Sequence, residues 1–140
     1  MSSLARTSPA RRGPLTAVVG VLAAIVAASA VDSLLALLAR AVADKPDDFG
    51  PLDPGSYIFL TAVGVIVGAV GWAVVRKRAK DPAALFRWLV PAVVVLSFIP
   101  DFFLFEDGGV VGVLALLVIH VAVAVVAVPV YRRVMPLTSP

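Results

Sequence analysis

The chain has 140 residues, 61% hydrophobic and 15% charged, with a mean hydropathy of +1.02. Soluble domains lie nearer half apolar and a quarter charged, so this composition excludes an ordinary soluble fold and leaves no room for a sizeable catalytic domain beside membrane spans. The net charge of +3 carries no nucleic-acid signal, because the basic residues flank hydrophobic segments, and the absence of cysteine excludes disulfides, thiolate metal sites and thiol catalysis.

Residues 1–14 are polar and basic, with Arg6, Arg11 and Arg12 and two prolines, and read as a disordered cytoplasmic tail. The first apolar run follows, about 15–38, broken only by Thr16, Ser29, Asp32 and Ser33. About twenty residues of helix cross the hydrocarbon core, so this run spans it with some tilt. A rival reading takes Arg11-Arg12, the apolar stretch and Ala28-Ser29-Ala30 as a signal peptide with a small-residue cleavage site. The run continues through Leu34, Leu35, Leu37 and Leu38, where a mature secreted chain would turn polar. Retention of the first helix is therefore the expectation.

From Ala39 to Ser56 the sequence is a loop rich in Asp, Pro and Gly. Its acidic cluster lacks the spacing and terminal Glu of an EF-hand, and reads as solvated. Asp53-Pro54-Gly55-Ser56 offers turn and N-cap chemistry to the next helix. The second span, about 57–75, has Tyr57 and Trp72 near its ends as interfacial anchors. It carries Gly64-x-x-x-Gly68 and then Gly71 on one face, where another helix approaches closely, either within the chain or at a homodimer seam.

Arg76-Lys77-Arg78-Ala79-Lys80-Asp81-Pro82 is a short basic turn. A third helix starts near Ala83 and enters lipid at Trp88, giving a span of about 88–105 with Pro91, Ser97, Pro100 and Asp101. Pro100 beside Asp101 predicts a kink or an early end near the outer surface. Glu106-Asp107-Gly108-Gly109 reads as a tight acidic turn, and about 110–130 is the fourth span, with His120 near its middle. Residues 134–140 form a short tail.

Orientation follows from counting charges. Arg6, Arg11, Arg12, Arg76, Lys77, Arg78, Lys80, Arg87, Arg132 and Arg133 fall on one side of these four spans, and only Arg40 and Lys45 on the other. By the positive-inside rule both termini are cytoplasmic.

Three titratable groups lie within spans. Asp32 is about 24 Å along the first helix, in the outer leaflet, and Asp101 reaches a similar level on the third. His120 descends about 15 Å on the fourth, towards the midplane. Convergence of the three on one side of the bundle is the expectation, with the carboxyls above and His120 below. Ala28, Ser29, Ala36 and Ala39 share the Asp32 face, while Leu34, Leu37 and Leu38 lie elsewhere; Ala124 and Ala127 share the His120 face. Small residues beneath a polar one imply a close helix contact or a narrow cavity.

Two readings of this candidate site (Asp32, Asp101, His120 and Ser29) stand side by side. In one, Asp32 and His120 belong to a proton or cation path, since charged groups at membrane depth carry a cost that function commonly explains. In the other they are structural: Asp32 bonds to Ser or backbone, His120 to a facing helix carbonyl, and Asp101 reaches headgroup water. One His and no Cys supply neither a nucleophile–base pair nor a two-histidine metal site, and no phosphate-binding glycine loop is present. No enzyme activity, cofactor or metal is expected.

The order of features resembles a family of small actinobacterial four-helix membrane proteins known only as a domain of unknown function. The resemblance rests on Pro51-Leu52-Asp53-Pro54-Gly55-Ser56, the basic turn before Phe86-Arg87, Leu96-Ser97-Phe98-Ile99-Pro100-Asp101, and His120 in the last span. It implies fold and localisation and no mechanism. The expected protein is an all-α bundle of four transmembrane helices in a bacterial plasma membrane, with residues 15–133 as one domain. Its expected role is a non-enzymatic structural or accessory component. The alternatives are an oligomeric transporter or channel subunit using Asp32, Asp101 and His120, and a lipid- or ligand-binding bundle. Its partners are the lipid bilayer and, within it, another membrane protein or a second copy; no nucleic acid is expected.

Overall fold

The computed structural model describes residues 13–43 and 49–137. The expected basic tail as far as Arg12, the acidic loop from Asp44 to Asp48 and residues 138–140 lie outside the described residues. The described chain is all helical: α1 (Pro14–Val42), a single 3-10 turn (Gly50–Leu52), α2 (Pro54–Arg78), α3 (Pro82–Ser97), α4 (Ile99–Phe102) and α5 (Phe105–Val134). Four helical segments, with α3 and α4 taken as one, are long and apolar enough to cross a membrane. The helices outrun the apolar runs at most of their ends, because hydropathy marks contact with lipid and not the end of the hydrogen-bonded backbone.

Helix α1 runs along the bundle with a stripe of small residues turned inward. Ala24, Ala28, Asp32, Ala36 and Ala39 are buried, while Leu34, Leu37 and Leu38 face outward. Small side chains bring helix backbones close and maximise dispersion contact where lipid leaves no hydrophobic drive between helices. The principal partner of α1 is α5, and its second is α2. Gly20 extends the stripe, for a Cβ there would stand 2.5 Å from Val134 Cγ1.

At the end of the bundle where α1 stops and α2 starts, Phe49 covers part of α5. Its ring lies over Gly108 and Gly112, where a Cβ would come within 2.5 Å and 3.0 Å of it. Asp53 is the N-cap of α2, yet its carboxylate makes no capping bond. Arg40 takes it instead at 2.6 Å, and also donates to the Leu52 carbonyl at 3.0 Å. A charge-assisted bond outweighs a single cap here, and it ties the end of α1 to the start of α2.

Helix α3 is capped by Asp81, whose side chain accepts from the Ala84 amide at 2.9 Å. It buries only Pro82 and Phe86 and leans on α5 more than on α2. The predicted kink before Asp101 is present as a break at Phe98, two residues before the proline that lacks an amide hydrogen. The acidic Glu106-Asp107 turn is different from the expectation: it is the first helical turn of α5, and the interruption falls at Gly109, with φ 60° and ψ −170°. That conformation is open to glycine and strained for residues with a Cβ.

Candidate functional site

Asp32 is 0% exposed, held where α1 meets α2 and α5. Thr61 Oγ1 donates to its Oδ2 at 2.6 Å, while Oδ1 has no partner among the described residues. Thr61 sits on the buried face of α2, with Tyr57 one turn before it and Val65 and Ala69 after it. A second polar link runs alongside. Tyr57 donates to Ser33 Oγ at 2.9 Å, and Ser33 donates to the Ser29 carbonyl at 2.7 Å. The Ser29 hydroxyl is buried without a partner among the described residues.

The break at Phe98 turns the single turn of α4 against α5, and this brings Asp101 to His120. Asp101 is 6% exposed, so the expected reach to headgroup water does not occur. Its Oδ2 lies 3.1 Å from His120 Nδ1, which is also 2.8 Å from the Leu116 carbonyl one turn earlier. Two acceptors at Nδ1 assign it a proton, directed to the carbonyl; Oδ2 is left without a hydrogen bond of its own among the described residues. His120 thus uses its own helix, not the facing one. Phe98 packs edge-on to the imidazole at 6.1 Å between centroids. His120 lies within electrostatic reach of Asp32 as well as Asp101. The three groups come together, but among the described residues no cluster of three or more His, Asp or Glu is tight enough to hold a metal ion.

The opposite end of the bundle is aromatic and apolar. Trp72 stacks on Phe86 with centroids 3.9 Å apart and leans on Tyr131 at 5.7 Å. Its indole donates to the Met135 carbonyl at 3.0 Å, and the Tyr131 hydroxyl donates to the Val65 carbonyl. Tyr57 and Trp72 are therefore core residues, 6% and 2% exposed, and not interfacial anchors. Each buries its ring because its polar tip is satisfied inside the protein. Trp88 faces outward at 79% exposure.

Between α2 and α3, floored by α5, lies a crevice of about 450 Å³. Gly64, Gly68 and Gly71 form its α2 wall, and His120, Ala124 and Ala127 lie along its floor. The helix approach expected at these glycines is not made among the described residues. A Cβ at Gly64 or Gly71 would meet nothing within 4 Å, and at Gly68 it would meet only the Tyr131 side chain, the hydroxyl at 3.0 Å. Gly68 leaves room for that hydroxyl to reach Val65. The stacked Trp72 and Phe86 hold α2 and α3 together at one end only, so the glycine face opens into space instead of a neighbour.

A family model described as "Family of unknown function (DUF6069)" matches residues 6–136. The chain belongs to DUF6069. Neither a curated protein nor a solved structure matches it. For this DUF6069 chain, the sequence singled out Asp32, Asp101 and His120, which the fold brings together, and offered a narrow cavity at His120, Ala124 and Ala127, where the crevice has its floor; it did not mark Thr61, Tyr131 or the glycine wall of that crevice. Thr61 had one signal: a hydroxyl four residues after Tyr57 on an otherwise apolar helix.

Proposed function

We propose that this DUF6069 protein is a non-enzymatic multi-pass component of a bacterial plasma membrane, with both termini cytoplasmic, acting as a structural or accessory protein by lateral contacts within the bilayer. One observation carries the reading. The polar groups occupy one half of the bundle, and the other half is filled by Ala24, Val65, Ala69, Trp72, Phe86, Ala127 and Tyr131. That half is apolar, crevice included, and gives an ion no dielectric relief on the way across. The Asp32–Thr61 and Tyr57–Ser33 bonds then act as links between α1 and α2, the ordinary role of polar residues between membrane helices. The cytoplasmic assignment of the ends rests on the charge count, with ten basic residues on one side against two on the other.

The natural absence of cysteine makes the test direct. Single cysteines at positions 32, 101 and 120 are exposed to a membrane-impermeant thiol reagent in intact cells, and ion flux is measured in proteoliposomes. The reading expects position 32 to stay unlabelled and flux to match empty liposomes. Labelling at both 32 and 120, or a flux abolished by Asp32→Asn or His120→Gln in a folded protein, overturns it.

A second reading, an oligomeric transporter of protons or small cations, draws on a separate observation. Asp32 Oδ1, Asp101 Oδ2 and the Ser29 hydroxyl are buried with no hydrogen-bond partner among the described residues, and Asp101 Oδ2 lies 3.1 Å from the imidazole. Unsatisfied polar atoms of this kind are costly in a bilayer and suit a site that takes up a proton. The same flux assay decides between the two.

A further inference from the structure

We propose that the crevice between α2, α3 and α5 holds one acyl chain of an anionic phospholipid, whose phosphate rests on the basic rim made by Lys77, Arg78, Arg87 and Arg132. This binding site goes beyond the accessory reading and stands whether or not the protein conducts.

The dimensions select an acyl chain over a helix. The α3 wall runs from Phe86 to Ser97, about 17 Å of helix at 1.5 Å per residue. A volume of about 450 Å³ over that length leaves a groove about 6 Å across for the centres of entering atoms, or about 9 Å between its wall surfaces. An α-helix with its side chains needs about 10–12 Å. A file of methylenes, with non-bonded carbons about 3.5–4.0 Å from the walls, fits such a channel. The lining matches this chemistry: valines, glycines, alanines and the aromatic trio, with His120 and Ser97 only at the far end.

The depth and charge select the lipid. Along α2 the crevice begins at Gly64, just before the helix middle, and ends at Trp72, one turn before Arg76. Most of its length therefore lies in the leaflet on the basic side of the bundle, with its far end near the middle. There Lys77, Arg78, Arg87 and Arg132 are all exposed and make no ion pair among the described residues. Phe86, which closes the crevice, is the chain neighbour of Arg87, and Tyr131 is that of Arg132, so apolar lining and charge adjoin on two helices. Clusters of Lys and Arg at the end of membrane helices recognise anionic headgroups.

Trp72 provides the probe, because it lines the crevice and Trp88 is the second tryptophan of the chain. The full chain carrying Trp88→Phe is reconstituted in phosphatidylcholine vesicles containing a minor fraction of dibrominated phosphatidylglycerol, or the same fraction of dibrominated phosphatidylcholine. Bromine quenches indole fluorescence at close range. The expected result is a preference of about tenfold for the anionic lipid at Trp72, equivalent to about 1.4 kcal/mol, which one or two basic residues at a membrane surface supply. Lys77→Gln/Arg78→Gln/Arg87→Gln is expected to abolish the preference while quenching by both lipids persists. Gly64→Leu/Gly71→Leu, at positions where a Cβ meets nothing within 4 Å, is expected to fill the crevice and reduce quenching by both lipids. Equal quenching by the two headgroups in the parent overturns the proposal. So does quenching unchanged by the two leucines, which puts the chain outside the crevice. An absence of quenching by either lipid also overturns it, since protein, from a second copy or a partner, then covers Trp72. None of these outcomes depends on the flux measurement.

Discussion

Replacing Thr61 by valine tests whether the Asp32 carboxyl is anchored by one bond. Asp32 Oδ1 already lacks a partner among the described residues, so Thr61→Val removes the one side-chain bond the carboxyl accepts there. A buried polar group stripped of its partner costs about 1–3 kcal/mol in proteins generally, and interhelical bonds in membranes measure about 0.6–2 kcal/mol. The expected destabilisation is about 1–2 kcal/mol. Asp32→Ala is expected to cost less. Alanine continues the stripe of Ala24, Ala28, Ala36 and Ala39, and the freed Thr61 hydroxyl turns to the Tyr57 carbonyl one turn earlier. The double variant is then no less stable than Asp32→Ala alone, giving a coupling of about 1 kcal/mol in a double-mutant cycle. Reversible unfolding in mixed micelles, followed by Trp72 fluorescence, reads all four corners. Additivity within about 0.3–0.5 kcal/mol would refute the reasoning and leave Asp32 held by packing alone.

Three further outcomes follow from the same geometry. Gly109→Ala, at φ 60°, is expected to cost about 1–3 kcal/mol and to be read in the same unfolding assay. Gly108→Ala drives a methyl to 2.5 Å from the Phe49 ring, an overpacking cost of about 1–3 kcal/mol that Phe49→Ala relieves in the same chain; failure of that rescue refutes the contact. Tyr131→Phe removes the hydroxyl bond to the Val65 carbonyl and is expected to cost about 1 kcal/mol, with the Trp72 emission shifted as its neighbour loosens.

The four spans were legible because about twenty apolar residues in a row satisfy one strong constraint, the thickness of the hydrocarbon core. The inward face of α1 was legible too, since Ala28, Ala36 and Ala39 share a helical phase with Asp32 and the leucines do not. Thr61 was hidden because α2 is apolar all round, and no stripe points to its partner. The glycine face was read as a helix contact, yet small residues at i, i+4 and i+7 state only that the wall is low, not what stands opposite. Trp72 looked interfacial by depth; its burial depends on Phe86 and Tyr131, which reach it from other helices. The kink that turns Asp101 to His120 was legible from Pro100, but its place at Phe98 and the bond of His120 to its own helix were not, since hydropathy carries no record of a backbone turning by one residue.

The closest partnership in the fold joins the first helix to the last, α1 to α5. As a ribosome delivers this chain into a membrane, α1 emerges first, and the surface it fits does not yet exist. Asp32 must wait at membrane depth while α2 and then α3 are made, with Thr61 the first group able to receive it. The small-residue stripe stays unpaired until α5 follows, and Gly20 meets Val134 only when the final turn of α5 has formed. Truncation before α5 would thus leave α1 without the surface it packs on most. The bundle is in this sense complete only with its last described helix.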